Sequence, residues 1–155
     1  MPPRDKGRQV EEDWIAPTPH VHLALPRPPP PDLLRRRILS EYRELELEPP
    51  EGCRARIVGN DFRHWYATIF GPLNSPYKGG FFHLAVRFPL GYPTRKPSVT
   101  FLSENGRKSL EFPLQAWTPT RRIHHILAGI REMLSTPSSD KWKENDFKQF
   151  MWKDQ

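Results

Sequence analysis

The chain predicts an α+β domain: an N-terminal helix, a four-stranded antiparallel meander, an irregular stretch with a short flap, a central helix and a short C-terminal helix. Three observations predict it. Two apolar runs, residues 65–70 (WYATIF) and 81–88 (FFHLAVRF), flank a turn built of Gly71-Pro72, Asn74-Ser75-Pro76 and Gly79-Gly80. Both runs are short and rich in aromatic or β-branched residues, as strands are. Apolar stripes at helical spacing stand before and after this pair, at Leu34-Ile38-Tyr42-Leu45 and at Ile123-Ile126-Leu127-Ile130-Met133-Leu134.

Taken in order, residues 1–31 form a proline-rich arm, 32–137 the domain, and 138–155 a short C-terminal helix or tail. The arm is polar, charged and rich in proline, a composition that does not bury a core by itself. Trp14-Ile15 and Val21-His22-Leu23-Ala24-Leu25 are apolar islands in it, so Trp14, Ile15, Leu23 and Leu25 are candidates to dock on the domain or on a partner. Residues 26–31 (PRPPPP) favour polyproline II and serve most simply as a stiff spacer. Asp32 is a good N-cap for a helix through Leu47, which Pro49-Pro50 ends. Arg35, Arg36 and Arg37 lie mostly off its apolar stripe, where a basic run is usually a solvated face. Residues 53–58 (CRARIV) read as the first strand. Phe82, Leu84, Val86 and Phe88 share one face of the third, which stops at Pro89, a residue unable to donate to a ladder. Residues 98–102 (SVTFL) give the fourth. Pro137 closes the central helix. Phe147, Phe150 and Met151 at helical spacing suggest one short helix at the end.

Composition bounds the function. A length of 155 residues fits one domain, and 19 prolines is more than twice the usual share of about 5%. The net charge of +6 permits an acidic partner, but no interleaved aromatic and basic motif points to direct nucleic acid binding. A single cysteine fits a reducing compartment, cytoplasmic or nuclear. No apolar run approaches the length of a membrane span, and the N-terminus lacks a signal-peptide core. His20-x-His22 and His124-His125 lack further ligands at useful spacing, so no metal or other cofactor is expected.

The residues also carry a resemblance. W-x-x-x-I-x-G-P-x-x-S-P-Y-x-G-G-x-F from Trp65 to Phe82, then F-P-x-x-Y-P-x-x-x-P from Phe88 to Pro97, with Trp117-Thr118-Pro119 downstream, resembles the sheet of the ubiquitin-conjugating (E2) fold. The match is long and gapless, and the resemblance covers about residues 32–137. It implies a protein that carries ubiquitin as a thioester on one cysteine, because a thiolate is nucleophilic near neutral pH and its thioester stays activated. It also implies a His-Pro-Asn motif, whose Asn supports the loop and the developing oxyanion.

Here the sequence departs from the family. Between Gly106 and Trp117 the spacing is the family's, and Ser109-Leu110-Glu111 falls on Cys-Leu-Asp, so the nucleophile position is Ser109. The segment that would hold His-Pro-Asn, between Phe101 and Gly106, is missing, and that motif occurs nowhere in the chain. Residues 136–141 (TPSSDK) resemble the family's P-N-P-x-D loop, with Lys141 or Asp140 at the acidic position. Cys53 does not stand where the nucleophile lies and reads as a strand-edge residue. The resemblance implies contacts of Arg35 and Arg36 with the activating enzyme. It implies ligase contacts in the loop of Thr94 and Arg95, where Thr94 stands in place of the family's aromatic, and at Thr118 and Pro119, where Thr118-Pro119-Thr120 stands in place of S-P-A. Loss of an aromatic anchor removes an interface hot spot.

A serine hydroxyl is a poor nucleophile without an adjacent base. The expectation is therefore an inactive E2 variant acting as a protein-binding module in a hetero-oligomer. Its partners would be ubiquitin, an active E2, a ligase subunit or a larger assembly. Two alternatives stay open: a structural subunit reusing the fold with no ubiquitin role, and a serine-based enzyme.

Overall fold

A computed structural model describes residues 31–136 and 147–153. The elements in order are α1 (Pro31–Leu47), β1 (Cys53–Val58), β2 (Asp61–Phe70), β3 (Gly80–Arg87), β4 (Ser98–Leu102), β5 (Ser109–Glu111), α2 (Ile123–Ser135) and β6 (Trp152–Lys153). The expected meander is present, with sheet order β1-β2-β3-β4-β5 and every neighbour antiparallel. Both helices pack on one face of it.

Three details differ from the sequence expectation. Helix α1 begins at Pro31, so Asp32 is in its first turn and is not its N-cap. Proline suits a first helical position because the N–H it lacks would be unpaired there, and an acidic first turn complements the helix dipole. Strand β2 starts earlier, at Asp61, because Gly59-Asn60 closes a tight hairpin between Val58 and Asp61. Gly59 has φ +56, a conformation that glycine adopts without cost. The sheet also gains two short strands. Strand β5 pairs with β4 where a flap was expected. Strand β6 pairs with β3 at Gly80↔Lys153 and Phe81↔Trp152, just past the point where β4 ends opposite His83. The expected C-terminal helix lies largely outside the described residues. Phe147 and Lys148 are helical, and Phe147 and Phe150 enter the core.

The core lies between the sheet and the helices. Trp65, Ala67 and Ile69 of β2, Phe82, Leu84 and Val86 of β3, and Val99 and Phe101 of β4 point into it. They meet Leu34, Ile38 and Leu45 of α1 and Ile123, Ile126, Leu127, Ile130 and Leu134 of α2, as the two stripes predict. Cys53 stands at the start of an edge strand, as expected, with its side chain turned into the core. It opens β1, is 2% accessible, and donates its thiol to the Leu127 carbonyl at 3.8 Å. Burial pushes that thiol up to about 11, so it stays protonated.

A buried carboxylate fastens the two helices together. Glu41, on the apolar stripe of α1, is 1% accessible. Its Oε2 accepts from Arg37 Nε at 2.7 Å and from the Tyr92 hydroxyl at 2.5 Å, and its Oε1 accepts from the Ile123 backbone N–H at 2.7 Å. The last bond satisfies a free donor at the start of α2. Burial and the neighbouring carboxylate push the Tyr92 hydroxyl above its ordinary value.

Candidate functional site

Ser109 opens β5 and is exposed. Among the described residues, none hydrogen-bonds its side chain. The β4–β5 connection is a closed six-residue turn. Ser103 N–H donates to Lys108 O at 3.0 Å, and Ser103 Oγ bridges Asn105 Oδ1 at 2.8 Å and the Lys108 N–H at 2.9 Å. Asn105 Oδ1 accepts from Ser103 Oγ and from the Arg107 N–H, which ties the Asn105 side chain into the turn.

Register places Ser109 in a row across the sheet: Arg54↔Thr68↔His83↔Leu102↔Ser109. His83 is thus two strands away from Ser109, roughly 10 Å between their backbones, with Leu102 between them. Its Nδ1 already shares a hydrogen bond with Thr68 Oγ1 at 2.9 Å. His124 and His125 stand at the start of α2, where His124 Nδ1 lies 3.0 Å from Glu44. Among the described residues, no histidine is hydrogen-bonded to Ser109, so the Ser-His arrangement that would activate a hydroxyl is not assembled from them.

The second group of sequence candidates is assembled. Trp117 Nε1 donates to the Pro93 carbonyl at 2.8 Å, which sets the loop of Thr94 and Arg95 beside the turn of Thr118 and Pro119. Arg37 Nη2 donates to the carbonyls of Pro119 at 2.8 Å and Arg121 at 3.1 Å, so the Glu41 cluster reaches this surface. Thr94, Arg95, Thr118 and Pro119 are all exposed. Thr118 and Thr120 bond to each other through their hydroxyls at 2.9 Å. The result is a small, polar, rigidly supported ridge with no aromatic at its crest.

Arg35 and Arg36 are exposed on α1, but Arg35 sits 6.0 Å from the Phe62 ring, and Arg37 is committed to Glu41. Trp14, Ile15, Leu23, Leu25, and the loop with Asp140 and Lys141 lie outside the described residues.

Sequence reasoning missed one feature. The sheet face away from the helices carries a groove of about 510 Å³ lined by Arg54, Arg56, Tyr66, Thr68, His83, Leu102 and Trp152. Trp152 forms its wall: its ring stands 4.4 Å from His83, and its Nε1 donates to the Leu102 carbonyl at 2.9 Å. The alternation in β1 and β2 already put Arg54, Arg56, Tyr66 and Thr68 on one face. Only the return of β6 could reveal the wall.

Comparison with known proteins agrees with the fold. The family model for ubiquitin-conjugating enzymes matches residues 37–155. Among solved structures, the chain is similar to the E2 domain of a Toxoplasma gondii ubiquitin conjugating enzyme. The two are 30% identical, the alignment covers 68% of this chain and 77% of that one, and the TM-score is 0.58.

Proposed function

This chain belongs to the ubiquitin-conjugating enzyme family, and we propose that it is a catalytically inactive member serving as a protein-binding module within a ubiquitin-related or larger assembly. The observation that carries this reading is the Ser109 hairpin. The position that the resemblance gives the nucleophile holds a hydroxyl with no base beside it among the described residues, and the closed turn of residues 103–108 precedes it where the family has its oxyanion-supporting segment. Loss of one of these two elements leaves a slow enzyme, and loss of both removes the nucleophile and its transition-state support together.

What remains is a rigid scaffold with two outward surfaces, the polar ridge at Thr94 and Thr118 and the sheet-face groove. Its partners are ubiquitin, an active E2, a ligase subunit or a neighbouring subunit, met in a reducing cytoplasmic or nuclear setting. No helix among the described residues is long and apolar enough to cross a membrane.

The test is a charging reaction with E1, ATP and ubiquitin, read on reducing and non-reducing gels and after hydroxylamine treatment. The wild-type chain is expected to form no adduct. Ser109→Cys is expected to discharge ubiquitin to free lysine poorly even if it charges, because the thiol would still lack oxyanion support. Efficient lysine discharge by that variant, or a hydroxylamine-sensitive wild-type adduct, contradicts the proposal. Titration with ubiquitin and identification of co-purifying chains then separate a ubiquitin-pathway module from a purely structural subunit.

A further inference from the structure

The groove on the open sheet face has a polarity of its own. At the β1 side stand Arg54 and Arg56, both exposed. No carboxylate among the described residues pairs with either, and Arg56 lies 5.2 Å from the Tyr66 ring. At the β4–β6 side stand Leu102 and the Trp152 ring. Glu111 lies beyond, opposite Thr100 at the far edge, so an anion is repelled there. The groove thus runs from cationic to apolar across strands β1, β2, β3 and β4.

The chain contains a segment of matching polarity. Residues 11–15 read Glu11-Glu12-Asp13-Trp14-Ile15, three carboxylates followed directly by an aromatic and an aliphatic side chain. These residues lie outside the described part of the structure. Their length fits. Five extended residues reach about 13–14 Å, and crossing from β1 to β4 takes three strand spacings, about 14 Å. The tether is also long enough. Fifteen residues lie between Ile15 and Pro31, a span of about 50 Å in the polyproline form that PRPPPP favours. A domain of this size has a radius of gyration of only about 13 Å, so the segment can pass from the helix side round to the open face.

We propose that the acidic-aromatic segment Glu11–Ile15 of this chain occupies the sheet-face groove, with its carboxylates on Arg54 and Arg56 and Trp14 against Leu102 and Trp152. The groove is then covered by the chain itself, and a partner using this face must displace the arm. This inference is independent of whether Ser109 is catalytic, because it concerns only what lies in the groove.

The test uses the full-length chain with Val10→Cys carrying a nitroxide. Cys53 is buried and its thiol is held protonated, so the label goes to the new cysteine. The expected result is broadening of the amide signals of Arg56, Thr68 and His83 and of the Trp152 indole, unchanged on dilution, with residues of α2 unaffected. Glu11→Lys with Glu12→Lys is expected to abolish the broadening, and adding Arg54→Glu with Arg56→Glu to restore it. Absence of selective broadening overturns the proposal. So does broadening that fades on dilution, which would place the arm of a second copy in the groove. Failure of the charge swap to restore the signal would likewise show that the arginines do not recognise this segment.

Discussion

The Glu41 cluster, between the two helices, and the Ser109 hairpin, at the β5 edge of the sheet, are built on opposite principles. At Glu41, one carboxylate is withdrawn from water and given three donors from three elements, α1, the Tyr92 loop and the start of α2. At Ser109, an exposed hydroxyl at the end of a three-residue strand has no hydrogen bond to any described residue. The first site is costly to disturb, because a buried polar group that loses a partner keeps its full desolvation penalty. The second is indifferent to change, because water replaces whatever is lost.

The largest expected effect breaks the first site. Glu41→Ala leaves the buried Tyr92 hydroxyl and the Ile123 N–H without their acceptor and takes from Arg37 one of its three acceptors. It should lower stability by about 3–5 kcal/mol, since each stranded buried donor costs about 1–3 kcal/mol. Urea unfolding followed by far-UV circular dichroism measures it. Tyr92→Phe removes one donor and leaves the carboxylate two others. It should cost about 1–2 kcal/mol by the same measurement. A result as large as that for Glu41→Ala would mean that the tyrosine alone carries the cluster.

Between these extremes stands the attachment of β6. A Cβ at Gly80 would lie 2.6 Å from Met151 Sδ and 3.0 Å from the Trp152 carbonyl. Gly80→Ala should therefore loosen β6 from β3 at a cost of about 1–3 kcal/mol, typical of overpacking. Faster amide exchange at Phe81 and Trp152, with β2 unchanged, is the local signature. The smallest effect belongs to Ser109→Ala, which should stay within about 0.5 kcal/mol of wild type, as exposed substitutions do. A larger loss would reveal a partner for the hydroxyl and dissolve the contrast with Glu41.

Acid should act on the groove side of the sheet. Burial lowers the pKa of His83 below the ordinary 6.5. The unfolded chain then binds a proton more readily than the folded one. This histidine's contribution is complete above 6.5 and declines as pH falls through the window below it. His83→Gln should flatten the dependence of unfolding free energy on pH between about 5 and 7, a range set by the ordinary histidine value.

The sequence by itself determined the meander, the helical stripes and the family, because period-2 and period-3.6 patterns and turn-forming Gly and Pro residues act locally. Strand β4 at residues 98–102 and β1 at residues 53–58 fall where their alternation puts them. The place of Ser109 at the family's nucleophile position is what the resemblance implies from the spacing between Gly106 and Trp117. Tertiary structure alone decided the rest. Glu41 looks like any charged residue of a basic-acidic helix until Tyr92, 51 residues away, and Ile123, 82 away, converge on it. Trp152 looks like part of a terminal helix until Gly80, having no side chain, admits a strand alongside β3. Polar partners and edge pairings depend on which distant segments meet, and one-dimensional periodicity carries no record of that.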